Sequence, residues 1–370
     1  MNIRKSGEAY FHRLIKYGPE TMWDKGITAV LSGLSRVYTK AMLKKMNTYL
    51  HRENGQTKLP VKVLSIGNIT VGGTGKTPMA CYIAEYLYQS GYKAVLLNRG
   101  YKAKKEGEAA VLSDGKHCLL SAAEGGDEPY LLAKKLPYIP VVIGRKRSLT
   151  GQLAVQTFQP DILIMDDGFQ HWAVYRDLDI VLIDSTNPFG NKKVIPGGIL
   201  REPIEHLNRA DLVILTKTDQ IQSTEDVCET IRCYNKNAPI VESIHKIKGL
   251  CTYQSWAAGE PSWHMPKEKR AIAFSAIGNP ASFHHLIETM GIEVAETYCF
   301  EDHHQYTVKE IEKIVHRAKQ AKMCIITTEK DAVKLSEIVK EELLYILTIE
   351  IEITKGKEIL ERRLRELMEG

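Results

Sequence analysis

At 370 residues the chain is long enough for two domains and a substantial core, and its 44% hydrophobic and 26% charged content is that of a soluble globular protein. Its seven cysteines are scattered without a Cys-x-x-Cys pair, which argues against a zinc cluster or a disulfide framework and suits a reducing compartment. No cleavable signal peptide and no run of 18 apolar residues is visible, so nothing is expected to span a bilayer and the protein reads as cytosolic.

The positive charge is concentrated at the start. Residues 1–52 carry ten basic residues against three acidic ones, a net +7 in a chain whose total is +5. Within this stretch Ile27, Val30, Leu31, Leu34, Val37, Tyr38 and Met42 recur at helical spacing, with Arg36, Lys40, Lys44 and Lys45 among the polar positions. Upstream, Tyr10, Phe11, Leu14, Ile15 and Trp23 are interleaved with Arg13, Lys16 and Lys25. A basic amphipathic segment with aromatics can lie in an anionic membrane surface, or it can pack on its own protein with a solvated basic face. No nucleic-acid module accompanies the charge, so nucleic acid is not expected as a partner.

Val61 to Thr77 is the stretch around which the chain is organised. An apolar run, Val61 to Ile66, reads as a buried parallel strand. A glycine-dense turn, Lys76-Thr77 and a helical pattern from Pro78 to about Gln89 follow. Strand, loop, Lys-Thr and helix are the context of a phosphate-binding loop. Glycines let backbone N–H groups close on phosphate oxygens, and the helix N-terminus adds partial positive charge. Lys76 supplies a point charge for the β- and γ-phosphates, and the Thr77 hydroxyl can ligate Mg²⁺. The loop residues are Thr70, Val71, Gly72, Gly73, Thr74, Gly75, Lys76 and Thr77. Thr70 stands where the common pattern has its first glycine.

Apolar runs then alternate with helical patterns. Strands are predicted at Ala94–Leu97, Pro140–Ile143, Asp161–Met165, Leu178–Ile183 and Leu212–Leu215, with helices at Glu128–Lys135 and Lys146–Phe158. Fully apolar strands alternating with helices indicate a parallel sheet covered on both faces. After about Asp219 a second series without a glycine-rich loop is expected, with strands at Ile240–Ile244, Arg270–Phe274, Val294–Phe300 and Cys324–Thr327. Helices are predicted in it at Ser282–Met290 and Val308–Lys319, and the chain closes with the strand Leu343–Ile353 and a charged helix, Gly356–Met368. The expected organisation is a basic helical segment at 1–52, a loop-bearing core at 53–219, a smaller α/β domain at 220–354 that completes the active-site cleft, and a C-terminal helix at 355–370.

Three further stretches carry chemistry. Ile162 to Asp167 is an apolar strand ending in two acids, the way phosphate-loop enzymes bring a carboxylate to metal, although Asp-Asp-Gly is also ordinary turn chemistry. Thr216-Lys217-Thr218-Asp219, after a strand, resembles the guanine-reading motif of P-loop GTPases, and it supports a membrane-associated nucleotide switch as a rival reading. In Glu301-Asp302-His303-His304 the adjacent histidines point apart, with no further ligand at helical spacing from both, so an acid beside a His suits a proton-handling pair better than a metal site.

The motifs together resemble the tetraacyldisaccharide 4′-kinase family, the lipid A 4′-kinases. Gly67 to Pro78 looks like that family's loop, which also lacks the usual first glycine. Asn98-Arg99-Gly100-Tyr101, Gly126-Asp127-Glu128-Pro129, Asp166 to His171, Pro196 to Pro203, Phe300 to His303 and Thr327 to Asp331 follow in family order. The resemblance implies a P-loop NTPase-type α/β fold with a second smaller α/β domain and an N-terminal amphipathic helix. It also implies an enzyme that moves the γ-phosphoryl group of ATP to the 4′-hydroxyl of a tetraacylated glucosamine disaccharide 1-phosphate, yielding lipid IVA in lipid A biosynthesis. The expected place is the cytoplasmic face of a Gram-negative inner membrane, with the protein peripheral and anchored by residues 1–50. No obligate protein partner is evident.

By the same resemblance Lys76 would hold ATP phosphates, and Thr77 with the Asp166-Asp167 pair would handle Mg²⁺. Asp127 would accept the hydroxyl proton, with His303 orienting it and supporting its charge, and Arg201 would offer a guanidinium to phosphate. The family position after the His is often aromatic, so His304 leaves the register of the pair open. Cell-division-type ATPases join a similar fold to a membrane helix, but their loop carries a signature Lys where this chain has Val71.

Overall fold

The computed structural model describes residues 10, 13–15, 18–50, 52, 55–335 and 342–370. Phe11 and Lys16 of the N-terminal pattern lie outside the described residues. Twelve strands are formed among those described. The first six are β1 (Lys62–Asn68), β2 (Ala94–Asn98), β3 (Ala110–Ser113), β4 (Val141–Ile143), β5 (Ile162–Asp166) and β6 (Leu178–Asp184). The others are β7 (Leu212–Thr216), β8 (Ile240–Thr252), β9 (Arg270–Ser275), β10 (Glu293–Cys299), β11 (Cys324–Thr328) and β12 (Leu344–Lys355).

The chain divides into two compact units, each discontinuous in sequence. One comprises residues 1–76, 167–244 and 353–370, the other 77–166 and 245–352. The sequence suggested contiguous segments meeting near Asp219. Parallel sheets place strands side by side that are far apart in the chain, so compactness and chain order need not coincide.

In the first unit β1, β6, β7 and the start of β8 run parallel, with Asn68 opposite Leu182, Asp184 opposite Thr216 and Val213 opposite Ile240. β6 and β7 are buried along their whole length, as strands covered on both faces must be. Ile69, Phe169, Val181, Leu200, Val213 and Ile231 belong to the core beside them. Ile231 comes from a helix, Glu225–Tyr234, that the apolar runs did not reveal because its polar positions outnumber its buried ones. The predicted N-terminal helix runs from Met22 to Leu50. Met42 and Met46 pack with Trp172. The Ser35 hydroxyl donates to the Val194 carbonyl at 2.7 Å and accepts from the Gly197 N–H at 2.9 Å.

In the second unit β5, β2 and β4 are parallel, and β3 adds an antiparallel edge that the sequence reading missed, being four residues and half-buried at its start. The strands β9, β10, β11 and β12 pair in parallel in the order β10-β9-β11-β12, with β8 next to β12. Leu131 of the helix Asp127–Lys135 joins a cluster with Phe274, Tyr306, Ala332 and Val333. That packing sets the start of this helix among the segments that carry residues 300–306 and 329–335.

Candidate active site

The phosphate-loop candidate begins where β1 ends. A Cβ on Gly67 would stand 2.5 Å from the Phe169 Cβ, so only glycine fits there. The chain then stays extended: the Val71 N–H donates to the Ile199 carbonyl at 2.8 Å and the Arg201 N–H to the Ile69 carbonyl at 2.7 Å, which makes Thr70 and Leu200 an antiparallel bridge. This accounts for Thr70. The position lies in paired extended backbone that any residue adopts, and the turn itself is made at Gly72 (φ +114°) and Gly75 (φ +86°). The Asn68 amide donates to the Thr74 hydroxyl at 2.9 Å, and the helix that follows starts at Lys76.

Lys76 and Arg201 converge on Asp167. The Lys76 Nζ lies 3.6 Å from its carboxylate, and the Arg201 guanidinium donates to both oxygens, at 2.7 and 2.9 Å. Burial alone would raise the Asp167 carboxyl, but Lys76 and Arg201 overcome that and hold it well below the usual carboxylate range. Asp167 has φ +58°, a conformation that a non-glycine residue keeps only where its surroundings impose it. The carbonyl of Arg201 accepts from the Tyr38 hydroxyl at 3.2 Å.

Asp166 points to different partners. It is buried at the end of β5, where its Oδ2 accepts from the Asn98 amide at 2.9 Å and from the Thr77 hydroxyl at 3.5 Å. A carboxylate and a hydroxyl are hard oxygens of the kind Mg²⁺ takes beside substrate phosphates, so this pair fits that ion. Among the described residues no group of three or more His, Cys, Asp or Glu is arranged to hold a metal. Magnesium in phosphoryl-transfer sites draws most of its ligands from substrate and water and needs no such group.

Asp127 is the first residue of its helix, after Gly126 at φ +99°, where the helix dipole favours a carboxylate. The His303 Nδ1 lies 4.0 Å from the Asp127 carboxylate. This is longer than a hydrogen bond, although such contacts commonly tighten only once substrate is bound. His304 turns away, stacks on Phe300 and meets Glu310 at 3.2 Å. The structure thus brings His303, and not His304, to Asp127. Burial raises the Asp127 carboxyl against the pull of Lys334, His303 and Lys330. Burial and the nearby Lys330 lower the His303 imidazole, only partly offset by Asp302, Glu128 and Asp127. A lowered imidazole favours the neutral form of His303, which can still orient Asp127 through its ring N–H.

Lys330 escaped the sequence reading. Its ammonium reaches Glu128 at 2.9 Å, Asp302 at 3.0 Å and the His303 Nε2 at 3.4 Å. The neighbouring Asp331 is fully buried and accepts from the Ala276 N–H, the Tyr306 hydroxyl and the Lys334 ammonium. Its signal in the sequence is the run Thr327 to Asp331, which by itself indicates no role for Lys330. Asn98 likewise stands in the run Asn98 to Tyr101, and only the fold brings it to Asp166.

Comparison with known proteins agrees over nearly the whole chain. Residues 27–369 match the family model described as tetraacyldisaccharide-1-P 4′-kinase. The tetraacyldisaccharide 4′-kinase of Halothermothrix orenii is 38% identical over 95% of this chain and 96% of its own length. That of Desulfotalea psychrophila is 40% identical over 84% and 89%. A crystal structure of LpxK from Aquifex aeolicus in complex with ATP is similar at a TM-score of 0.73 and 29% identity, covering 92% of this chain and 99% of that one. The chain belongs to the tetraacyldisaccharide 4′-kinase family.

Proposed function

We propose that this enzyme transfers the γ-phosphoryl group of ATP to the 4′-hydroxyl of tetraacyldisaccharide 1-phosphate, forming lipid IVA for lipid A. The observation that carries the reading is the loop Thr70 to Lys76, closed by glycine turns and flanked by Lys76 and Arg201. Lys76 binds the transferring phosphates, and Arg201 supplies a planar guanidinium while orienting Asp167. Thr77 and Asp166 would hold Mg²⁺, which supplies charge neutralisation. Asp127 accepts the proton of the sugar hydroxyl as its oxygen bonds to phosphorus, and ADP leaves with the electrons of the broken P–O bond. His303 and Lys330 hold Asp127 and its acidic neighbours in place. A sugar hydroxyl is a poor acid, so a nearby carboxylate of raised proton affinity assists its loss.

Incubation with labelled ATP and tetraacyldisaccharide 1-phosphate in detergent, resolved by thin-layer chromatography, tests the assignment. Label on the lipid supports it, whereas release as inorganic phosphate alone supports a switch ATPase. His303→Ala is expected to lower kcat by about tenfold or more, and His304→Ala to leave it within about threefold. Equal losses would return the register question to open.

The helix Met22–Leu50 favours a membrane surface. Trp23, Val30 and Val37 are 84%, 64% and 66% exposed and follow one helical face with Ile27 and Leu34, so the apolar stripe does not cover its own protein. No helix among the described residues is long and apolar enough to cross a bilayer. We place the enzyme peripherally on the cytoplasmic face of the inner membrane, where its acylated substrate resides and basic residues meet anionic headgroups. Deleting residues 1–50 would also remove the Ser35 and Met42–Met46 contacts, so point changes test the idea better. Trp23→Ser with Val30→Ser and Val37→Ser is expected to lower co-sedimentation with anionic liposomes by about tenfold or more without lowering turnover of detergent-dispersed substrate. Unchanged sedimentation would remove the membrane role.

A further inference from the structure

The tetrapeptide Thr216-Lys217-Thr218-Asp219 has no part in the reaction described so far. Lys217 is 3% exposed and takes a left-handed backbone at φ +57°. Its ammonium donates to the Gly73 carbonyl at 3.1 Å and pairs with the Asp184 carboxylate. The other Asp184 oxygen accepts from the Thr186 N–H at 3.0 Å and the Thr186 hydroxyl at 2.6 Å, which fixes that carboxylate at the end of β6. Thr216, fully buried at the end of β7, donates its hydroxyl to the Thr74 carbonyl at 3.1 Å. Two successive carbonyls of the glycine loop are thus tied to the ends of two neighbouring strands.

A peptide group is planar and trans, so its N–H points opposite to its C=O. Tying back the Gly73 and Thr74 carbonyls sets the direction of the Thr74 and Gly75 N–H groups, the Thr74 N–H meeting the Gly72 carbonyl at 3.2 Å within the same turn. An anion is bound by such aligned N–H groups. A glycine-rich loop left to itself samples many peptide orientations, and each one lost on binding costs affinity. We propose that Lys217, with Thr216 and Asp184, is a brace that sets the peptide orientation of the phosphate loop, a set of positioning residues that act on ATP binding without touching ATP. The inference rests on the reading of Thr70 to Lys76 as the ATP-phosphate loop.

Full-length Lys217→Met, which keeps the stem and removes the ammonium, is to be compared with Thr216→Val, Thr216→Ser and Lys76→Ala. The readouts are KM for ATP, KM for the lipid acceptor, and the rise in unfolding temperature on adding ATP. Lys217→Met is expected to raise the ATP KM about tenfold or more, with acceptor KM within about twofold, and to shrink the ATP-induced rise. Thr216→Val is expected to move the same way by a few-fold, with Thr216→Ser restoring the value. An unchanged ATP KM in Lys217→Met, or parallel losses for both substrates, overturns the brace. Should Lys217→Met fail to fold, the Thr216 pair decides alone, equal ATP KM values in Val and Ser counting against it. Normal ATP turnover by Lys76→Ala would instead sink the loop reading itself, and its loss beside a wild-type-like Lys217→Met would sink only the brace.

Discussion

Asp127→Asn is expected to lower kcat about 10²–10⁴-fold while leaving the ATP dissociation constant within about twofold. The amide keeps the shape of the side chain and its place at the helix start, where Gly126 and Leu131 hold the backbone, so folding is expected to survive. It removes the carboxylate charge and basicity that take the proton. The pH profile gives an independent check. Burial raises the Asp127 carboxyl above its ordinary value, and the base works only when ionised. Activity should therefore fall as pH drops through that raised value, so the acid limb of kcat/KM lies above the range of a free aspartate. In Asp127→Asn the residual rate should lack that limb. Equal losses in chemistry and ATP binding, or an unmoved acid limb, would count against the base role.

Lys76→Ala is expected to reduce kcat/KM for ATP by about 10²–10³-fold, the usual loss when one preorganised donor to a developing phosphate charge is deleted. Its effect on stability should be small, because Asp167 keeps its two-pronged pairing with Arg201 and the Lys76 pair is partly exposed and 3.6 Å long. Loss of activity at an unchanged unfolding temperature is the expected pattern, measured by steady-state kinetics beside calorimetry. Activity near wild type would remove Lys76 from the phosphate site.

Much of the fold was legible because its signals are local. Buried parallel strands such as β5, β6 and β7 are continuous apolar runs, and the helix Val308–Ala321 announces itself by periodicity and a Thr307–Glu310 capping box. Among the elements missed, β3 and the helix Tyr253–Ala258 are short, and the helix Glu225–Tyr234 buries only Val227 and Ile231. The phosphate loop was legible for the same reason, since glycines, Lys76 and Thr77 are contiguous. Thr70 looked irregular only because its pairing with Leu200, more than a hundred residues away, is invisible in one dimension.

By itself the sequence determined the loop, the paired acids, the basic amphipathic start and, through motif order, the family. Tertiary structure alone decided how consecutive residues divide their work. Asp166 turns to Asn98 and Thr77 while Asp167 turns to Arg201 and Lys76, and His303 turns to Asp127 while His304 turns to Glu310. Neighbours in a chain have nearly identical sequence context. What separates them is the direction of each Cα–Cβ bond, fixed by strand ends, by the left-handed backbone at Asp167 and His303, and by packing between segments far apart in sequence.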